Sequence, residues 1–190
     1  MRYCQLLILC GLLAILCGIL ANAHYNDPEA VRRREEAETN RIEGLLAALP
    51  DPADVPAKVP NSLARVLESA AEIKVFSLDP CYQSEPLRDG SKFVLGSVVV
   101  KDPVTLKRVR DAIYRSIAEG DGRGDCFEPH HAIEAHVGEV VLSLRICFHC
   151  GSAGGEIRHT NKGGEIAIGK FAKPVLNEVL SAGGVRLAQN

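Results

Sequence analysis

Two runs of alternating apolar and polar residues constrain the fold of this chain more than any other feature. A turn at Gly138 and Glu139 separates them, and every second residue on either side is apolar: Ile133, Ala135 and Val137 before it, then Val140, Leu142, Leu144, Ile146 and Phe148. Because successive side chains of a strand point to opposite faces, this spacing predicts a β-hairpin with one buried face. A lone hairpin is marginally stable in water, so we expect further strands or helices to cover that face.

The surrounding segments supply both. Strands are predicted over Ile73–Leu78 and Lys92–Val100, and a second hairpin across residues 161–164. Helices are predicted from Asp102 and Pro103 to Gly120 and near residues 171–182. Strands outnumber helices and are joined mostly by hairpins, so we predict an α+β fold: a mainly antiparallel sheet with two helices packed on it.

The preceding segment has a different character. Asp27 and Pro28 suit the start of a helix, which is highly charged to Arg41 and then carries an apolar stripe. Four prolines follow between residues 50 and 60. We therefore predict a charged amphipathic helical arm with a Pro-rich linker over residues 24–60, and a short helix capped by Asn61 or Ser62 that opens the α+β domain of residues 61–190.

Residues 1–23 are typical of a signal peptide. Arg2 gives a positive start, Leu6–Leu20 is an uncharged apolar run, and Ala21-Asn22-Ala23 matches a small-x-small cleavage site. We predict a periplasmic or secreted protein cleaved near Ala23. An uncleaved anchor is the alternative, since the uncharged stretch nearly reaches the ~20 residues that span a bilayer, and membrane contact is expected only in that case.

Charge argues against one class of partner. The chain has 22 Lys and Arg against 24 Asp and Glu, a formal charge of −2, and no excess of cations to neutralise phosphates. We therefore expect no nucleic-acid partner.

Cysteine and histidine mark the candidate functional site. Of seven cysteines, three lie in the leader. Three of the other four gather with three histidines in two short segments, Cys126–Ile133 and Cys147–Cys150. Sulfur and imidazole bind soft metals, and sulfur also forms covalent cross-links.

Three interpretations compete. The first is thiol redox chemistry at Cys147 and Cys150, a C-x-x-C pair. Such pairs usually begin a helix, but a Gly-rich segment follows here. In a continuous strand the two Cα atoms would be about 10 Å apart, so this disulfide closes only if the strand ends and turns near Phe148.

The second interpretation is a metal site. Cys126, His131, Cys147 and Cys150 form a Cys₃His set, with His130 or His149 as substitutes. This set suits tetrahedral zinc, and copper(I) is also compatible with thiolates.

The third interpretation, which we favour, is structural. A disulfide from Cys126 to Cys147 or Cys150 would join the Gly-rich loop to the hairpin, and Cys81 would take another partner. Closing a loop of roughly 20 residues stabilises a chain by about 3 kcal/mol in the entropic model.

The same residues resemble a family. Cys126-Phe127-Glu128-Pro129 with His131 and Ile133, followed by Ile146-Cys147-Phe148-His149-Cys150, is similar to a group of uncharacterised exported bacterial proteins with the approximate pattern CFxPRHGI, a glycine turn, then ICFxC. Where that group has Arg-His-Gly, this chain has His130-His131-Ala132, so His131 is the matching residue. The resemblance implies an exported small domain without an established activity.

Functional motifs of common enzymes are absent: the sequence has no Walker loop, no G-x-S-x-G and no H-E-x-x-H. We assign no catalytic residue. The sequence predicts an exported, non-catalytic binding or structural module of the cell envelope, stapled by disulfides. The alternative is a zinc- or copper-binding or thiol-redox protein that uses Cys126, His131, Cys147 and Cys150.

Overall fold

A computed structural model describes residues 27–80, 87, 91–122, 124 and 126–188. The predicted leader and Cys81 lie outside these residues, and with them the predicted cleavage site and the Cys81 disulfide.

Six strands form one antiparallel sheet, which confirms the predicted α+β class. In chain order they are β1 (Ile73–Leu78), β2 (Val94–Val100), β3 (His131–Val137), β4 (Val140–Cys147), β5 (Ser152–Ile157) and β6 (Gly163–Ala167). Their order across the sheet is β2-β1-β3-β4-β5-β6. The predicted hairpin is therefore at the centre of the sheet, with Ile133 opposite Leu144 and Ala135 opposite Leu142.

Helices in the described residues are α1 (Pro28–Ala48), α2 (Asn61–Ser69), α3 (Pro103–Glu119) and α4 (Ala172–Ala182). The start of α3 is as predicted, because Asp102 caps it by accepting a 2.8 Å hydrogen bond from the Thr105 N–H. The predicted cap of α2 is wrong. This helix already includes Asn61, and its N-cap is Pro60, which has no side-chain capping bond. No helix among the described residues is long and apolar enough to cross a bilayer.

The chain divides into two compact units at Arg41 and Ile42. In the first, the described residues are the charged part of α1, whose side chains pair one turn apart, as in Arg41–Glu38 at 2.8 Å and Arg32–Glu36 at 3.6 Å. Exposed helical pairs of this type contribute only a few tenths of a kcal/mol each.

The second unit holds the main core. The apolar face of the central hairpin is buried with side chains from α2, α3 and α4, except that Val137 beside the turn is half-buried. Helix α2 contacts β3 and β4, while α4 contacts β1, β2 and α3. Fully buried examples include Leu67, Ile113, Ile133, Leu144 and Leu176. Each such side chain contributes about 1.5–3 kcal/mol through removal from water, so this core holds the end of β4 and the start of α4 in place.

Candidate functional site

The turn after β4 brings Cys147 and Cys150 together. The strand ends at Cys147, residues 148–151 turn, and Ser152 begins β5. Gly151 has a φ of +69°, a conformation that glycine adopts without a steric penalty. As a result the Cα atoms of Cys147 and Cys150 are 5.7 Å apart and the two residues form a disulfide. The turn that this pairing requires is therefore present.

A backbone N–H in this turn donates a hydrogen bond to a cysteine sulfur. The N–H of Cys150 donates to Sγ of Cys147 across 3.3 Å. Cys147 is fully buried and Cys150 is 8% exposed, and Sγ of Cys150 lies 3.9 Å from the Ser152 hydroxyl oxygen. Both cysteines are therefore largely buried in a turn that presents a backbone donor to one of the sulfurs.

Two close approaches bring the loop that carries Cys126 to this turn. The Gly124 N–H donates to the Cys150 carbonyl oxygen at 2.7 Å, and a Cβ added at Gly124 would lie 2.9 Å from Cβ of Cys150. The Phe127 ring lies over Gly154 of β5, where a Cβ would come within 3.3 Å of the ring. Glycine at these two positions lets the loop lie directly against the β4–β5 turn.

Cys126, Cys147 and Cys150 consequently form one cluster, which we call the three-sulfur site. Their Sγ atoms all lie within 4.8 Å of one another. Cys126 is half-buried and keeps a free thiol. The favoured disulfide between Cys126 and Cys147 or Cys150 is therefore wrong. The turn instead joins Cys147 to Cys150, and Cys126 is left beside that bond.

His131 occupies a different place from the sulfurs. It is the first residue of β3 and is 4% exposed. Its Nε2 lies 2.7 Å from Asn177 Oδ1, so Nε2 carries the proton and Nδ1 is the bare nitrogen. Burial lowers the pKa of His131 to about 4; the Asn177 bond opposes this shift, and the charges of His130 and Lys173 add to it. Among the described residues, His131 has no ligand atom in the three-sulfur site.

Histidines instead line a neighbouring pocket of about 520 Å³, which we call the histidine pocket. His130, His131 and His149 contribute to its wall. Phe148 separates part of this pocket from the sulfurs, and its ring lies edge-on to His131 with centroids 5.3 Å apart. The remaining lining residues are Pro80, Glu128, Lys170 and Lys173.

A second cavity of about 410 Å³ lies on the sulfur side of the same turn. Cys150 and Gly124 are among its lining residues, and Phe148, His149 and Lys170 belong to both cavities. Solvent and small ions therefore have a route to Cys150 that does not pass through the core.

Sequence reasoning missed three residues near the histidines. Lys170 and Lys173, at the start of α4, line the histidine pocket, and Asn177, in the middle of α4, bonds to His131 from 46 residues away. The one available signal was the four-residue spacing of Lys173 and Asn177, which places both on one helical face. No pattern in the sequence predicted that this helical face lies against His131.

Comparison with protein-family models, with curated proteins and with solved structures gave no match for this chain. What the site can do has to be argued from its own residues.

Proposed function

We propose that this chain is an exported, non-catalytic binding module of the cell envelope, and that it holds a small anion in the histidine pocket. A predicted leader, a similarity to exported proteins and a disulfide support export, because disulfides persist in oxidising compartments. In this proposal the helices packed on the sheet and the charged N-terminal arm have structural roles.

The observation that carries the proposal is the position of the disulfide. Cys147 and Cys150 close the turn whose two central residues, Phe148 and His149, line the pocket. A covalent link across four residues limits the movement of this rim. Binding then costs less ordering of the protein, which is the benefit of a preorganised site.

Charge supports an anionic ligand. Two lysines and one carboxylate line the pocket, a formal charge of +1 when the histidines are counted as neutral. Lys170 and Lys173 flank Ala172, the first residue of α4, so the positive end of the helix dipole adds to this field. Even a neutral imidazole can donate one hydrogen bond, which His130 and His149 can direct at a ligand, whereas His131 already donates its own to Asn177. A phosphate or a small carboxylate combines the charge and the acceptor oxygens that this lining accommodates.

Calorimetry on the oxidised mature protein tests the ligand class, with inorganic phosphate and succinate as probes and glycerol as the neutral comparison. We expect at least one anion to bind and glycerol not to bind. The variant Lys173→Gln should weaken binding about tenfold, the effect of ~1.4 kcal/mol. Lys107→Gln, on α3 and outside the pocket lining, is the matched control and should bind like the wild type. Equal loss in both variants, or no binding of either anion, would reject the proposal.

Export has a separate test. Cell fractionation with N-terminal sequencing should find a chain that begins near His24 outside the cytoplasm. Full-length, unprocessed protein in the soluble cytoplasm would contradict the export half of the proposal and leave the ligand half standing.

A further inference from the structure

We infer that the three-sulfur site is a redox-gated metal site: once the Cys147–Cys150 disulfide is reduced, Cys126, Cys147 and Cys150 bind one thiophilic metal ion, Zn²⁺ or Cu⁺, as three thiolates. This site is separate from the anion pocket, although reduction of the disulfide also removes the covalent link across the pocket rim. It also changes the ligand set expected from the sequence, because His131 is outside the site.

The spacing of the sulfurs fits such an ion. Zinc–sulfur bonds are about 2.3 Å, so two thiolates at tetrahedral positions on zinc are about 3.8 Å apart. The three Sγ atoms already lie within 4.8 Å of one another. Breaking the disulfide moves Cys147 and Cys150 apart towards the required spacing, with side-chain rotation and without remodelling of the sheet.

The turn is also suited to thiolates. The Cys150 N–H that lies 3.3 Å from Cys147 Sγ is a donor to a developing negative charge. Gly151, with φ of +69°, lets the chain reverse immediately after Cys150. Because Ser152 then re-enters the sheet opposite Cys147, both ends of the turn are fixed by β-ladder hydrogen bonds. The donor and the backbone of both cysteines therefore keep their places when the covalent bond is lost, while side-chain rotation separates the two sulfurs.

Cys126 is what distinguishes this site from an ordinary structural disulfide. A disulfide needs two cysteines, and the third thiol is free and half-buried beside it. The contact of Gly124 with Cys150 and that of Phe127 with Gly154 hold the Cys126 loop in this position. Thiolate ligands in this number select Zn²⁺ and Cu⁺ over harder ions.

In the gating step, a dithiol reductant gives two electrons and two protons to the disulfide, which becomes the thiols of Cys147 and Cys150. The reductant itself becomes a disulfide. The metal ion then displaces the protons of all three thiols, giving a net charge of −1 with Zn²⁺ or −2 with Cu⁺. Lys170 lines the cavity beside Cys150 and supplies a nearby positive charge. That cavity also provides access for the ion and room for water as a fourth ligand.

Metal titration of the mature chain in its two redox states tests the inference. The reduced sample is prepared anaerobically with a phosphine, which becomes its oxide as it reduces the disulfide. We expect one equivalent of Zn²⁺, or of Cu⁺ in a parallel titration against a colorimetric chelator, to bind the reduced protein. The oxidised protein should bind less than a tenth of an equivalent. Bound metal should also protect Cys126, Cys147 and Cys150 from alkylation, as read by peptide mass.

Single variants locate the site. Cys126→Ser leaves the disulfide intact and should weaken binding by the reduced protein about 100-fold, since even outer-shell changes cost 10–100-fold. His136→Gln is the control, because His136 is exposed and outside the three-sulfur site, and it should bind like the wild type. Binding of less than a tenth of an equivalent of both ions by reduced wild type overturns the inference. Unchanged binding by Cys126→Ser, or equal loss in His136→Gln, overturns it as well.

A folding measurement covers the case in which reduction unfolds the chain. Metal that binds only the folded state stabilises it. Zn²⁺ or Cu⁺ should therefore restore the far-UV circular dichroism and raise the Tm of the reduced wild type, with a much smaller effect on reduced Cys126→Ser. Equal effects on the two proteins would again count against the site.

Discussion

Nε2 of His131 lies 2.7 Å from Oδ1 of Asn177, and this hydrogen bond links the start of β3 to the middle of α4. It also fixes the tautomer of a buried imidazole, because Nε2 must carry the proton that Asn177 accepts.

Stability should therefore fall with pH in a defined window. The pKa of His131 is about 4 in the folded protein, below its ordinary value of 6.5. As pH falls, His131 is protonated in the unfolded chain before it is protonated in the folded protein. The contribution of His131 to the free energy of unfolding is therefore complete above pH 6.5 and is lost as pH falls towards 4. The shift corresponds to about 3 kcal/mol at most. Urea unfolding across this range should show the loss in wild type, a flatter profile in His131→Gln, and a wild-type profile in His159→Asn, whose side chain is exposed and whose positive φ asparagine tolerates. Equal slopes in wild type and His131→Gln would contradict the assignment.

Removing the acceptor should destabilise the protein. Asn177→Ala leaves the buried Nε2–H without a partner, which costs about 1–3 kcal/mol, partly offset by the better helix propensity of alanine. Chemical denaturation measures the change. A double-mutant cycle provides the control: in a His131→Phe background, Asn177→Ala should be close to neutral. Similar losses in both backgrounds would show that the contact is not the cause.

Disulfide mapping should find one arrangement at this site. Alkylation of the folded, unreduced protein should label Cys126, because its thiol is free and half-buried. The peptide with Cys147 and Cys150 should gain label only after reduction. Mass spectrometry of proteolytic peptides reads both. A peptide in which Cys126 is joined to Cys147 or Cys150 would contradict the structure. It would support the pairing that the sequence favoured.

The sequence predicted the strands around this site correctly but predicted the wrong disulfide pairing. Alternation with period two predicted the central hairpin, because its apolar face takes every second residue of each strand between Ile133 and Ile146. It could not place the end of β4, since Phe148 continues the apolar pattern although it lies in the turn. A shift of one or two residues there decides whether Cys147 and Cys150 are about 10 Å apart or bonded. Local pattern thus predicted the sheet, whereas the partner of each cysteine depended on where a strand stops.

Contacts between distant segments were beyond the pattern for a different reason. His131 and Asn177 are 46 residues apart, and neither the strand period nor the helix period relates them. The same holds for Gly124 and Cys150. A glycine in a Gly-rich loop predicts a turn, but here its missing side chain is what allows two loops to touch.

The turn glycine should be the most sensitive position near the sulfurs. Gly151 has φ of +69°, and a Cβ there would lie 3.1 Å from the Gly122 carbonyl oxygen. Left-handed backbone costs a residue with a Cβ about 1–2 kcal/mol, so Gly151→Ala should lower the free energy of unfolding by at least that amount and weaken metal binding by the reduced protein. Gly122→Ala is the matched control, since a Cβ at Gly122 meets nothing within 4 Å.

Asparagine tolerates this conformation better than alanine, so Gly151→Asn should lose less stability than Gly151→Ala, keeping only the cost of the close contact. If alanine and asparagine were equally harmful at Gly151, crowding and not backbone conformation would set the requirement for glycine. If Gly122→Ala were as harmful as Gly151→Ala, the turn would not have the geometry described.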